Sequence, residues 1–133
     1  MIDGDGMSLD TFFIEVGSTA DVIAERDFFL RHLNMSLVGD EDDDDYVFVT
    51  DGTIKLGFLY GDRPENPALV NVGLTVDDVD AEVARLQGEG VVIRVAPETF
   101  SWGRAAALED PCGLGVWLVE RGTLLEGRRD QRS

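Results

Sequence analysis

The pattern of hydrophobic and polar residues predicts a strand, a helix and three further short strands in the first half of the chain. Thr11–Val16 is rich in β-forming residues, and from Ala20 to Leu33 the apolar residues recur mostly on one helical face. Between them, Gly17-Ser18-Thr19 ends the strand and offers the helix an N-cap. Asp51-Gly52 predicts a two-residue hairpin between the second and third of the short strands. These three strands are expected at about 35–38, 46–50 and 53–60.

The second half of the chain repeats this order of elements. A strand at Leu69–Val76 leads into Asp77-Asp78, whose carboxylates suit a helix N-terminus, and a short helix is expected at 79–87. Asn71–Val76 matches Thr11–Val16 at an offset of 60 residues, so the sequence contains two β-α-β-β-β repeats. The last three strands are expected at 91–96, 104–108 and 114–120.

A single repeat of about 55 residues buries too little apolar surface to be stable alone, so we expect the two copies to share one sheet system. The predicted fold class is α+β, with one domain at 9–121 built from modules 9–62 and 67–121, and tails at 1–8 and 122–133. Side chains alternate between the two faces of a strand. The residues expected under the helices are Phe12, Ile14, Val16, Val72, Leu74 and Val76. Those expected on the opposite, concave surface are Thr11, Phe13, Glu15, Asn71, Gly73 and Thr75.

The charge of the chain narrows the classes of partner. It has 27 acidic and 11 basic residues, a net charge of −16 and a pI near 4.1. Binding to nucleic acid or to an anionic membrane needs clustered Lys and Arg, so we expect neither partner. No apolar run reaches the ~18 residues of a membrane span, and residues 1–8 lack the shape of a signal peptide. Cys112 is the only cysteine, which indicates a reducing, cytoplasmic setting.

Much of the negative charge lies in one acidic run, Asp40–Asp45. Such a run is typical of a solvated hairpin turn. A second interpretation is an electrostatic collar that attracts a cationic ligand. A third is a Ca²⁺ loop, although the run lacks the glycine and the distal glutamate of an EF-hand. The overall charge also fits a high-salt habitat or simple solubility.

Three motifs in the second half resemble those of a known superfamily. They are Leu74–Asp80 before the second helix, Trp102-Gly103-Arg104, and Leu108–Gly113 before the final strand. On these motifs, residues 9–121 resemble the vicinal oxygen chelate superfamily, which includes glyoxalase I, bleomycin-resistance proteins, fosfomycin-modifying transferases and extradiol dioxygenases. The resemblance implies two modules that form a cup-shaped mixed sheet, and it implies a homodimer.

The resemblance also bears on metal binding. Enzymes of this superfamily hold a divalent metal with His, Glu or Gln on equivalent strands, where it polarises vicinal oxygens or activates oxygen, water or a thiol. The positions implied for the metal are Thr11, Leu56, Asn71 and Trp117. A register error of one residue would replace Leu56 by Lys55, and none of these side chains is a good metal ligand. The only histidine, His32, is expected on the surface or capping the first helix, so we expect no metal, no cofactor and no catalytic residues.

What remains resembles the drug-binding branch of the superfamily, whose small acidic proteins neutralise a cationic drug by binding it. Aromatic walls supply stacking area, and a negative field attracts a cation. Trp102 near the rim and Trp117 inside the cup are the main aromatic candidates, although Trp117 and Phe13 could instead fill the cup as core. Arg104 indicates either a salt bridge or a clamp for an anionic group. The candidate ligand-binding residues are Thr11, Phe13, Glu15, Leu56, Asn71, Phe100, Trp102, Arg104 and Trp117.

Three functions fit these patterns. The first is a metal-free protein that is not an enzyme and sequesters a small organic molecule, such as a cationic or aromatic antibiotic. The second is a metal-dependent lyase or dioxygenase with an atypical ligand set that uses Glu15. The third is an accessory subunit with a closed cup, in which only the dimer face matters. We take the first as the working hypothesis.

Overall fold

The computed structural model describes residues 6–39, 46–62, 65–67 and 70–124. The acidic run at 40–45 lies outside the described residues, as do most of the two predicted tails. The chain divides into two compact units, Met1–Pro64 and Glu65–Ser133. No helix within the described ranges has the length and hydrophobicity needed to cross a bilayer.

The first unit contains one helix and a four-stranded mixed sheet. The sheet order is β1-β4-β3-β2, with β1 parallel to β4 and the other pairs antiparallel. Its elements are β1 (Thr11–Val16), α1 (Thr19–His32), β2 (Ser36–Leu37), β3 (Tyr46–Thr50) and β4 (Lys55–Tyr60).

Helix α1 begins where the sequence predicts and packs on one face of this sheet. The Ser18 hydroxyl accepts a hydrogen bond from the Asp21 N–H at 3.1 Å, which satisfies a backbone donor of the first turn. The ring of Phe29 lies 5.1 Å from that of Phe58 on β4, and both side chains are fully buried. Ile14 on β1 is buried on the same side. Phe12 shares that side but remains 48% exposed near the start of the outermost strand.

The loop between β3 and β4 differs from the predicted two-residue hairpin. Thr50 pairs with Lys55, so the loop has four residues, 51–54. The Asp51 carboxylate accepts hydrogen bonds from the N–H groups of Thr53 at 2.8 Å and Ile54 at 3.0 Å. This side chain supplies the acceptor that a tight backbone turn would otherwise provide, and the loop widens as a result.

The second unit has the same strand order and connectivity as the first. Its sheet runs β5-β8-β7-β6, with β5 parallel to β8 and the other pairs antiparallel. The predicted α+β class and the β-α-β-β-β repeat are therefore confirmed, with one four-stranded sheet in each unit. Its elements are β5 (Asn71–Val76), α2 (Val79–Gly88), β6 (Ile93–Phe100), β7 (Gly103–Glu109) and β8 (Gly115–Glu120).

Helix α2 is fixed at its N-terminus by two carboxylates. The Asp78 side chain accepts from the Ala81 N–H, and the Glu120 side chain on β8 accepts from the Val79 N–H, both at 3.1 Å. Negative charge at this end also suits the helix dipole. The buried face of α2 covers one face of the sheet, and this packing leaves the other face of β5, β8 and β7 turned away from the helix. The apolar residues buried between α2 and the sheet include Val79, Val83, Leu86, Ala106, Leu108, Val116 and Leu118.

The Asp51 turn gives a test of stability against pH. Asp51→Ala should lower the free energy of unfolding at neutral pH by up to about 1 kcal/mol, a modest loss because the turn is exposed and water competes for its donors. Hydrogen bonds from the Ile54 and Thr53 N–H groups hold the pKa of Asp51 below its ordinary value of 3.8. The stabilisation is therefore present above that value and is lost as pH falls through the folded pKa. Urea unfolding at neutral pH and at about pH 2 measures the change.

Asp51→Asn is the matched control, because it keeps an acceptor oxygen that does not titrate. It should retain only part of the stability at neutral pH, because a neutral oxygen accepts more weakly than a carboxylate, and its difference from Asp51→Ala should not vary with pH. Equal losses in the two variants, or a gap between wild type and Asp51→Ala that does not narrow in acid, would contradict the role of the Asp51 carboxylate in the turn.

Candidate functional site

Trp117 occupies the centre of the second unit's sheet, on the face turned away from α2. Its neighbours along β8, Val116 and Leu118, are buried on the helix side, so alternation sends the indole to the opposite side. Directly across from Trp117 lie Gly73 on β5 and Ala107 on β7. Both neighbours are small residues, and an added Cβ at Gly73 would meet no atom within 4 Å. We call this surface the open face, and it comprises Asn71, Gly73, Thr75, Arg94, Val95, Glu98, Phe100, Ala105, Ala107, Glu109, Gly115, Trp117 and Val119.

Three aromatic rings on and beside the open face form one aromatic cluster, Phe100, Trp102 and Trp117. Phe100 ends β6, and Trp102 lies in the tight turn that leads into β7. Their rings are stacked, with centroids 5.1 Å apart and planes 5° from parallel. Trp117 meets both rings edge-on, 6.0 Å from Phe100 and 5.9 Å from Trp102. All three side chains are half-buried, so part of the cluster faces solvent.

Polar groups hold the indole of Trp117 in place. Its Nε1–H donates to the side-chain oxygen of Asn71 at 3.2 Å. The guanidinium carbon of Arg94 lies 5.9 Å from the centroid of the indole, a cation–π geometry. Asn71 was among the predicted site residues, whereas Arg94 was missed because only the placement of its strand brings it to the indole.

Arg104 lies on the helix side and not on the open face. One guanidinium nitrogen donates to both carboxylate oxygens of Asp80 on α2, at 2.9 and 2.8 Å, and the other donates to the Thr99 hydroxyl at 3.1 Å. These bonds to Asp80 raise the pKa of Arg104 above its ordinary value. Of the two predicted roles, the geometry matches the salt bridge. The clamp for an anionic ligand group has no support here, because the guanidinium is already engaged.

In the first unit, the register differs from the predicted one by one residue. Thr11 pairs with Lys55 and Phe12 pairs with Leu56. Leu56 is therefore on the helix side, where it is only 6% exposed, and the placement of Leu56 on the concave surface is corrected to Lys55. Parallel pairing of β1 with β4 decides this register, which the sequence pattern left open by one position.

The other predicted residues of the first unit are on the sheet face turned away from α1. Phe13 is 64% exposed and meets Phe48 edge-on with centroids 6.0 Å apart. Its exposure does not fit a core residue. The Glu15 carboxylate accepts from the Asp62 N–H at 2.9 Å, and the Thr11 hydroxyl donates to a neighbouring carboxylate, that of Asp10.

Phe48 and Tyr46 belong to this same face of the first unit, and the sequence analysis missed both. Their rings lie 5.8 Å apart, and the ring of Phe48 rests on Gly57, where a Cβ would come within 2.5 Å of it. The alternation of aromatic and aliphatic residues from Tyr46 to Val49 on β3 was the available signal.

The positions that the family resemblance implies for a divalent metal do not provide a suitable donor set. Lys55 is cationic, and the indole of Trp117 has a hydrogen-bond donor but no acceptor. Thr11 and Asn71 offer neutral oxygens, one held by Asp10 and the other accepting the indole N–H. Hard and borderline divalent cations favour carboxylate and imidazole ligands, and none of these four side chains is either.

One group of carboxylates in the second unit does lie close together. Ligand oxygens of Asp78, Asp80 and Glu120 fall within 4.8 Å of one another. Each already has a structural partner, since Asp78 and Glu120 accept N–H groups of the first turn of α2 and Asp80 binds Arg104. The group therefore fixes the helix on the sheet, on the side away from the open face.

Comparison with solved structures finds this fold in proteins of different function. An antibiotic binding protein, TnmS3 from Streptomyces sp. CB03234, is 24% identical with a TM-score of 0.67, over 89% of this chain and 98% of that one. A glyoxalase/bleomycin resistance protein from the same organism is 26% identical with a TM-score of 0.59, over 85% and 100%. A possible glyoxalase from Bacillus cereus is 18% identical with a TM-score of 0.68, over 86% and 99%.

Sequence comparison with families gives the identity of the domain. Comparison with curated proteins finds no significant match. A family model, in contrast, matches residues 17–118, which is most of the chain and covers most of each repeat. The chain therefore belongs to the Glyoxalase/Bleomycin resistance protein/Dioxygenase superfamily.

Proposed function

We propose that this protein binds an aromatic small molecule on the open face of its second unit and sequesters it without chemical change. An antibiotic with a flat ring system is the ligand class that we favour. The observation that carries the proposal is the aromatic cluster of Phe100, Trp102 and Trp117, which lies half-exposed on a sheet face instead of in the core. Rings in this arrangement offer both faces and edges to a further ring.

The indole at the centre of the cluster is held in place before any ligand arrives. The hydrogen bond to Asn71 restrains its N–H edge, and the stacked pair of Phe100 and Trp102 restrains its other side. A preorganised aromatic surface loses little side-chain entropy on binding, so more of the stacking energy contributes to affinity. This restraint supports a binding role for the ring.

Two glycines shape the surface around the indole. A Cβ at Gly73 would meet nothing within 4 Å, so β5 leaves open space beside Trp117. A Cβ at Gly115 would collide with the side-chain oxygen of Asn71, so this glycine lets Asn71 fold over the strand toward the indole. One glycine thus provides room for a ligand and the other positions the group that orients Trp117.

The chemistry of the metal positions favours binding over catalysis. The superfamily includes enzymes as well as binding proteins, and the fold alone does not distinguish them. Because Thr11, Lys55, Asn71 and Trp117 do not fit a divalent metal, we propose the metal-free class. The likeness to TnmS3, an antibiotic binding protein, supports the same choice. From the family resemblance, we further propose that the protein acts as a homodimer, and from its single cysteine we propose a cytoplasmic setting.

Removing rings from the aromatic cluster should weaken binding of a flat aromatic probe, pyrene-1-carboxamide. Trp117→Ala and Trp102→Ala should each raise the dissociation constant at least about tenfold, because each removes a stacking surface. Trp117→Phe should fall between wild type and Trp117→Ala because it keeps a smaller ring. Isothermal titration calorimetry gives the constants. Tyr60→Ala removes an exposed aromatic residue outside the cluster and should leave them unchanged.

Two results would overturn the proposed function. One is equal binding of the probe to wild type and to both tryptophan variants, or no binding to any of them. The other is one equivalent of zinc, nickel, manganese or iron in the purified protein, together with lyase or dioxygenase activity that a chelator removes. That result would favour the metal-dependent enzyme of the same superfamily.

The two glycines beside Trp117 provide a matched pair of substitutions. Gly115→Ala should displace Asn71, shift one of the two tryptophan indole N–H signals in a ¹H–¹⁵N spectrum and cost about 1 kcal/mol of stability. Gly73→Ala places the same methyl group in open space and should leave both signals and the stability within error. If Gly115→Ala left the indole signals where they are, Asn71 would not be the group that orients Trp117.

A further inference from the structure

The guanidinium of Arg94 lies over the indole of Trp117, 5.9 Å from the ring centroid. No carboxylate of the described residues lies within ion-pair distance of it. In the same unit, Arg104 and Arg121 are each hydrogen-bonded to a carboxylate. The feature that distinguishes Arg94 is therefore the indole beneath its charge.

An irregularity of β6 places Arg94 in this position. Ile93 pairs with Leu108 and Val95 pairs with Ala107, so Arg94 has no partner residue on β7. It is the extra residue of a β-bulge, a feature that re-aims a side chain out of the regular ladder. Ala107 is also the cross-strand neighbour of Trp117, so the bulge lies beside the indole.

Nearby acidic side chains leave the guanidinium available. By register, Glu98 opposite Ala105 and Glu109 opposite Gly115 are on the same face of the sheet as Trp117. Neither forms an ion pair with Arg94 in the described part of the chain. The guanidinium is exposed to solvent and its N–H groups can donate to a ligand in the planar fork that matches an oxyanion.

We propose that the ligand of this site is an aromatic anion, a fused ring system that carries a carboxylate or a similar oxyanion on its edge. The ring would stack on the aromatic cluster while Arg94 receives the oxyanion. This inference rests on the proposed function and names its ligand class. It runs against the expectation of a cationic ligand, which came from net charge. The net charge acts on a ligand through a long-range field, which salt screens beyond about 8 Å. The contact with Arg94 is local.

Three probes of one shape and different charge test the proposal. They are pyrene-1-carboxylate, pyrene-1-carboxamide and pyren-1-ylmethylammonium, each titrated into the full-length protein by calorimetry. The carboxylate should bind at least about tenfold more tightly than either of the others, since only it can pair with the guanidinium.

Substitution of Arg94 separates its charge from its bulk. Arg94→Gln should weaken binding of the carboxylate at least about tenfold and leave the carboxamide within about twofold. Arg94→Lys should recover part of the loss, because it restores the charge without the planar fork. Arg121→Gln is the control, an identical change of charge at an exposed arginine just beyond β8 that is paired with Asp77. It should leave all three affinities unchanged.

The outcomes distinguish this inference from the proposed function. Equal affinities for the three probes in wild type, or equal losses for all of them in Arg94→Gln, would overturn the anionic ligand class while the aromatic site stands. Tightest binding of the ammonium probe would also overturn it, in favour of a cationic ligand. Failure of every pyrene probe to bind would remove the proposed function and this inference with it.

Discussion

The alternation of side chains along β8 places the indole of Trp117 on the open face. It keeps Val116 and Leu118 buried under α2 and turns Trp117 to the opposite side of the sheet. The same alternation separates a face that builds the core from a face that carries the aromatic cluster. Every other feature of the site depends on this separation, including the edge-on contacts with Phe100 and Trp102.

Arginines on the two faces of the second unit's sheet have different partners. On the helix side, Arg104 is bound to Asp80, and acidic groups cap the start of α2. On the open face, the guanidinium of Arg94 lies over the indole of Trp117. Net charge therefore describes the whole chain but not this surface. Local geometry decides which charge a ligand meets once it arrives.

Much of the fold could be predicted from the sequence because the signals are local and occur twice. The strands, both helices and the Ser18 cap follow from periodicity and capping chemistry within a few residues. The length of the Asp51 loop could not be predicted from the sequence, because the aspartate side chain competes with a backbone turn as hydrogen-bond acceptor. The one-residue error at Leu56 has a different cause, since the parallel pairing of distant strands sets that register.

The site was predictable only in part. Asn71 and Trp117 were identified because the family pattern places them on one surface, whereas Phe100 was named only as additional aromatic surface. Arg94 was missed because a bulge, which leaves no clear mark in the sequence, brings it to the indole. The role of Arg104 was left open because its partner, Asp80, lies on a different element, 24 residues away along the chain.

The central claim is that a bound ring lies on the open face, and intermolecular nuclear Overhauser effects test this placement most directly. They would be recorded between pyrene-1-carboxylate and the isotope-labelled protein. We expect contacts from the pyrene protons to the indoles of Trp117 and Trp102. Contacts confined to Phe13 and Tyr46 of the first unit, or to residues outside both sheets, would contradict it.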